Sequence, residues 1–221
     1  MIASELVNND LPVLKTSDTV QKAMDMMSEY KVFHLPVVNE SQYLGLVYED
    51  DMLGQDGDTS LPIGALSLSL PNIFSLSDKH LFEILNLFLE HKLSLLPIVT
   101  HKNDFIGSIA QFDLGTAIAE IFSTAEQGAV VCIDMNIKMY SLAQIAQIAE
   151  SENIKILSSC LQYFHDSSKI EVTLKVNKPD ISALLASFVR YGYTVKYVYD
   201  HSSHIDSSAD RYESFMKYLD I

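Results

Sequence analysis

The block Thr19 to Val38, TVQKAMDMMSEYKVFHLPVV, returns 61 residues later as HLFEILNLFLEHKLSLLPIV, His80 to Val99. Glu29/Glu90, Lys31/Lys92, Leu35/Leu96, Pro36/Pro97 and Val38/Val99 coincide. The likeness runs on from YLGLVYEDDML (Tyr43 to Leu53) to FIGSIAQFDLG (Phe105 to Gly115). Gly45/Gly107 and Asp51/Asp113 sit at an offset of 62, one loop residue having been added. This internal repeat outweighs every local signal, because whatever one copy folds into the other must form as well. A period near 60 is long for a solenoid unit and suits a duplicated small module. A single copy of about 55 residues is small for an independent core, so the two should pack face to face.

Both copies have the same coarse pattern. In the first, Val20, Ala23, Met24, Met27 and Tyr30 recur at helical spacing, with Thr16, Ser17 and Asp18 offering caps. Leu35 to Val38 reads as a short buried strand, Asn39 to Gln42 as a turn, Tyr43 to Tyr48 as a strand, and a short helix starts near Glu49. The second copy repeats this. Leu81, Ile84, Leu85 and Phe88 mark a helix; strands follow at Leu95 to Val99 and Phe105 to Ala110, then a helix from Gln111 to Phe122. Each copy is thus β-α-β-β-α.

Charge limits what such a pair can bind. The chain of 221 residues has 15 Lys+Arg against 29 Asp+Glu, a net charge of −14. Residues 1 to 122 alone carry −11 and no arginine. That argues against nucleic-acid binding, which needs cations against phosphates, and removes the side chain best suited to a two-pronged phosphate clamp. Two cysteines are no disulfide framework, so a reducing cytoplasm fits. MIASELVNNDLP has neither a basic nor an apolar stretch of the signal-peptide kind. Leu81 to Val99 is interrupted by Glu83, Glu90, His91 and Lys92, too much charge for a membrane span.

The stretches FHLPVV with GLVYEDD, and SLLPIV with GSIAQFD, resemble the cystathionine-β-synthase (CBS) domain, present twice over residues 1 to 122. The resemblance implies a ligand-sensing regulator that takes an adenosine-containing molecule between the copies. In the family pattern an Asp at the start of the last helix accepts hydrogen bonds from ribose hydroxyls. Asp51 and Asp113 fall there, and an ionised carboxylate is an acceptor-only group suited to two neighbouring hydroxyls. The competing reading makes each Asp a helix cap. The family's hydroxyl position holds Tyr48 and Ala110, and its His is His34 in the first copy but Leu95 in the second. Tyr48, Ala110 and His34 join the two acids as candidate ligand contacts. Phosphate donors are scarce, and Glu49, Asp50, Asp51, Asp56 and Asp58 add repulsion. A nucleoside-like ligand, phosphates bridged by a cation, or empty clefts serving as packing surface all remain open. QDGD at 55 to 58 lacks the rest of a calcium loop and reads as linker, with Gly54 and Gly57 as breakers.

STAEQG (Ser123 to Gly128) is a linker. Beyond it GAVVCIDM, IKILSSCLQYF, SSKIEVTLKV and YTVKYVYD read as strands, and SLAQIAQIAESEN and ISALLASFVRYG as helices. Leu142, Ile145, Ala146 and Ala149 form one stripe; Ile181, Leu184, Leu185 and Phe188 form another. Lys169 to Val176 alternates strictly, the mark of an antiparallel strand with one wet face; His165 to Ser168 is the turn before it, and Gly192 stops the last helix. The order β-α-β-β-α-β is ferredoxin-like. It resembles an ACT domain over residues 128 to 200. ACT domains often bind amino acids through a glycine-containing loop, but Asp134 to Tyr140 (DMNIKMY) has none, so dimerisation is the expected role. The combined arrangement resembles the acetoin-utilisation (AcuB) type of protein, which implies a regulatory association.

The expected fold class is therefore α+β: a tandem CBS pair, two β-α-β-β-α repeats at 1–60 and 61–122, followed by a ferredoxin-like ACT-like domain at 128–200. A tail at 201–221 carries an apolar stripe of Tyr212, Phe215, Met216 and Leu219. The expected function is a non-enzymatic, cytoplasmic regulatory sensor. It would bind an adenine nucleotide or nucleoside, form a homodimer and act on an unidentified regulated protein, with no cofactor, metal, nucleic acid or membrane. The alternatives are a constitutive dimeric scaffold with vestigial clefts, or an amino-acid sensor acting through the ACT-like domain. Cys132 and Cys160 are expected as buried, unbridged thiols, and HSSH (His201 to His204) lacks further zinc ligands.

Overall fold

The computed structural model describes residues 1–53, 58–66, 70–164 and 167–200. The chain divides into two compact units, the first ending at Ala117 and the second beginning at Ile118. Among the described residues no helix is long and apolar enough to cross a membrane.

In chain order the first unit runs α1 (Ala3–Leu6), α2 (Val20–Tyr30), β1 (His34–Asn39), β2 (Gln42–Tyr48), α3 (Glu49–Leu53), β3 (Ser75–Leu76), α4 (Leu81–His91), β4 (Leu95–Val99), β5 (Phe105–Ala110) and α5 (Gln111–Ile121), the last reaching across the division. The repeat in sequence is a repeat in geometry. α2 is capped by the Thr19 hydroxyl and α4 by the His80 ring, each accepting from a first-turn amide. Both helices stop at a lysine in the left-handed region, Lys31 at φ 57° and Lys92 at φ 50°. β1 and β2 pair antiparallel with a bulge at Val37/Val38; β4 and β5 do the same with a bulge at Ile98/Val99, 61 residues on. The leading strand of each copy is short. Leu14 bridges Val37 in parallel, and Ser75 pairs with Ile98 in the same register. Pro36 and Pro97 lie buried within their strands.

The copies exchange their leading segments. Ala3 and Ser4 donate to the carbonyls of Lys79 and Ser77 in the second copy. Reciprocally, Ile63 and Gly64 donate to Asp18 and Thr16 in the first. Asn8 pairs with Ser108 on β5, while the Leu46 amide of β2 reaches the Pro71 carbonyl. These crossings explain the two repeated glycines. Gly45 and Gly107 take φ +145° and +142°, and a Cβ at Gly45 would stand 2.6 Å from Leu70 Cβ, one at Gly107 2.8 Å from Asn9 Oδ1.

The second unit runs β6 (Ala129–Asn136), α6 (Leu142–Ser151), β7 (Ile156–Tyr163), β8 (Lys169–Val176), α7 (Ser182–Arg190) and β9 (Thr194–Asp200). Its sheet has the order β7-β8-β6-β9 with every neighbouring pair antiparallel, the ferredoxin-like split β-α-β arrangement. Val131, Ile133 and Met135 of β6 and Val172 and Leu174 of β8 share a core with Ile145 of α6 and Leu184 and Phe188 of α7. Strand alternation therefore turns Val130, Cys132, Thr173 and Lys175 to the opposite face.

Four local expectations need correction. Tyr30 is exposed rather than part of the α2 stripe. The α6 stripe runs through Ile145, Ile148 and Ala149, with Leu142 and Ala146 outside, because those three pack on the sheet core. The glycine-free loop starts later, since β6 continues to Asn136 and only Ile137–Met139 turns. Both cysteines are free, but only Cys132 is buried; Cys160 is exposed on β7, an edge strand. Of QDGD only Asp58 is described; residues 54–57, the turn residues 165–166 and the tail 201–221 lie outside the described residues.

Candidate functional site

The site residues named from the sequence fall at equivalent corners of the two copies, where the second strand runs into the following helix. In the β1–β2 hairpin His34 stands opposite Tyr48, and in the β4–β5 hairpin Leu95 stands opposite Ala110. Asp51 lies in the first turn of α3 and Asp113 in the first turn of α5.

His34 is fully buried. Its Nε2 is 2.9 Å from the carbonyl of Leu95, its own counterpart in the second copy. A carbonyl only accepts, so Nε2 carries the proton and Nδ1 is left as an acceptor facing the Ser94 hydroxyl at 3.4 Å. Ser94 in turn accepts from the Phe33 amide at 3.3 Å. Residues 33 and 94, and 34 and 95, are the repeat equivalents of each other, so this relay lies where the two copies meet. Burial pushes the His34 pKa down, partly opposed by the Leu95 hydrogen bond, and keeps the ring neutral. A ring buried in this way presents no atom to a ligand. The sequence reading of His34 as a ligand contact is replaced by a role as a pin between the copies. Ser94, which sequence reasoning passed over as a departure from a basic position, is its partner.

Tyr48 is half-buried, its ring 4.9 Å from that of His34. Burial, with the nearby Asp51 charge, raises its phenol pKa, so it stays a neutral hydroxyl. Asp51 is exposed, and with Glu49 and Asp50 it makes three consecutive acids that have no ion-pair partner among the described residues. Asp113 is half-buried and accepts from the Ala110 amide at 3.3 Å, a helix-capping bond that uses one oxygen. A carboxylate has about four acceptor positions, so the cap and a sugar contact are compatible. The two copies are also joined at their other end. Asn103 Nδ2 donates to the Tyr43 carbonyl, Gln42 Nε2 donates to Asp104, and Val38 and Val99 share a small apolar cluster with Tyr43. Among the described residues no three His, Cys, Asp or Glu side chains are grouped so as to hold a metal ion.

Residues 3–56 match the family model of the CBS domain. Those residues carry a CBS domain, and the second copy repeats it in sequence, register and bulge. Inosine-5'-monophosphate dehydrogenase of Methanocaldococcus jannaschii is 28% identical over 113 residues, 51% of this chain and 22% of that protein. The chain thus spans about a fifth of the length of that curated relative. Among solved structures, a CBS domain pair/ACT domain protein of Thermotoga maritima is similar at 26% identity, covering 54% of this chain and 98% of that one, with a TM-score of 0.49. CBSX2, in complex with AMP, is similar at 23% identity over 54% of this chain and 97% of that one, TM-score 0.47; the protein is from Arabidopsis thaliana. An acetoin utilization protein (AcuB) from Vibrio cholerae is similar at 20% identity over 57% and 95%, TM-score 0.48.

Proposed function

We propose that the chain is a non-enzymatic regulator whose CBS pair takes an adenosine-type ligand between its copies. Asp51 and Asp113 accept from ribose hydroxyls, and Tyr48 and Ala110 line the same corners. The observation that carries this reading is the duplicated CBS domain in matched register, which gives both acids equivalent positions at the starts of α3 and α5. A hydrogen bond from a sugar hydroxyl to an ionised carboxylate contributes about 1.5–3 kcal/mol. No arginine stands in this half, and Glu49, Asp50 and Asp51 face solvent together, which disfavours bare phosphates. The ligand is therefore a nucleoside derivative, or a nucleotide whose phosphates carry a divalent cation. The ACT-like unit provides dimerisation or relay. For binding to regulate anything, the ligand must prefer one arrangement of the copies over another.

Thermal unfolding against adenosine, AMP, ADP, ATP, NAD and S-adenosylmethionine, with and without magnesium, tests the reading. A ligand at 100 times its dissociation constant stabilises the folded chain by about 2.7 kcal/mol. The gain should vanish in Asp51→Asn or Asp113→Asn and, for the nucleotides, should need magnesium. A full panel without response refutes the sensor.

A second reading, a constitutive scaffold, has its own support. His34 hydrogen-bonds across the two copies to Leu95 and Ser94, and Phe82 and Leu89 on α4 and Phe112 on α5 leave large apolar side chains exposed. A panel without response, together with a stable dimer in sedimentation, is the outcome that reading expects.

A further inference from the structure

The second unit holds a feature that the CBS pair does not explain. On the sheet face away from α6 and α7, a pocket of about 380 Å³ opens between the strands and the segment that leads into β6. The segment is held over the sheet by Ser158, whose hydroxyl donates to the Phe122 carbonyl at 2.8 Å. It descends to β6 through Gly128 at φ +143°, where any Cβ would collide with the Val176 carbonyl. The floor is one row across the sheet, in which Tyr199 pairs with Val130, Val130 with Lys175 and Lys175 with Ser158. Phe122, Val130 and Tyr199 make its walls apolar.

Lys175 is the exception in this lining. It is 7% exposed, and among the described residues its ammonium has no hydrogen-bond or ion-pair partner. A carboxylate brought beside that ammonium would form a charge-assisted bond with it. Lys196 shows the contrast. It donates to Glu171 at 2.8 Å and lies 3.8 Å from Asp134, so it already has its counter-charge. Among the described residues no acid lines the pocket, so the α-ammonium group of an amino acid finds no partner there.

We propose that this pocket binds a small monocarboxylate with an apolar body, its carboxylate on Lys175 and its hydrocarbon against Phe122, Val130 and Tyr199. The volume lies at the low end of small-molecule sites and admits a body of roughly ten heavy atoms. This site lies wholly in the second unit and is independent of the nucleoside reading of the CBS pair.

Cys160 stands at the pocket wall and is exposed, whereas Cys132 is buried, so alkylation of the full-length chain reports occupancy at one identified thiol. The probe is 3-phenylpropanoate; its amide and L-phenylalanine serve as comparisons of nearly the same shape. With the carboxylate present at about ten times its dissociation constant, the rate of Cys160 alkylation by iodoacetamide, read by mass spectrometry, should fall about tenfold, since only the free pocket reacts. The amide and L-phenylalanine should slow it far less at the same concentration, and Lys175→Gln should abolish the effect of the carboxylate. The acid–amide comparison uses the unaltered chain and so does not depend on how the variant folds. Equal slowing by acid and amide, equal slowing by L-phenylalanine, or no slowing by any of the three overturns the proposal.

Discussion

His34 shows how one side chain can be legible in sequence while its role is not. Its place in FHLPVV marks it as unusual, since the other copy has Leu95. Its role follows from where Leu95 ends up, because the ring bonds to the backbone of its own counterpart. The ring's pKa in the folded chain lies below its ordinary value near 6.5, so the unfolded chain takes up the proton first. Stability is then full above about pH 6.5 and declines as pH falls below that toward the folded-state value. Urea melts between pH 7.5 and 5 should show this decline, and His34→Leu should flatten it. At neutral pH the same variant should lose about 1–3 kcal/mol, because the Leu95 carbonyl and the Ser94 hydroxyl lose their partner. Glycines separate by the same reasoning. Gly45→Ala meets both a positive φ and the crossing segment at Leu70, and should cost about 2 kcal/mol or more. Gly115→Ala, in mid-helix with nothing within 4 Å, should stabilise by about 0.5–1 kcal/mol. Equal effects of the two alanines in denaturant melts would contradict this account.

At the scale of elements, periodicity located nearly every helix and strand, because burial of one face is written locally in the spacing of apolar residues. Lys169–Val176 has the predicted bounds, and its inner residues Ile170, Val172 and Leu174 are buried as the alternation requires. What the pattern missed is instructive. The leading strand of each copy is a single bridge at Leu14 and a pair of residues at Ser75–Leu76, too short to leave a period. The α6 stripe was misplaced because SLAQIAQIAE is apolar on two adjoining faces, and the partner strands choose between them. Tyr30 extends the α2 period by a turn beyond the surface it can cover.

For the whole molecule, the exchange of leading segments makes each CBS copy depend on residues numbered with the other. Residues 1–9 belong by hydrogen bonding to the second copy, through Ala3, Ser4 and Asn8. Deleting them should expose the backbone along β5 and before α4 while leaving the β1–β2 hairpin intact. Hydrogen exchange should therefore lose protection at Leu81 and Ser108 and keep it at Leu35 to Val38. Loss confined to the first copy would refute the exchange. The same crossings bear on the candidate site, for a pair joined at both ends can change its mutual angle only by bending elements that the two copies share. The two acids were proposed from sequence because each copy carries the family pattern that ends in an Asp at a helix start. Ser94 and the Lys175 pocket were not, since their neighbours come from segments far apart in the chain.

The sequence by itself determined that the first half is one module written twice, that the second half is a split β-α-β sheet, and that strong negative charge limits what the first half can hold. Those properties reside in spacing, offset and composition, which need no third dimension. The tertiary structure alone decided which copy receives each leading segment, that a buried imidazole pins twin to twin, and that a lysine on the open sheet face has no counter-charge among the described residues. Each of these depends on contacts across many tens of residues, and no local pattern encodes them.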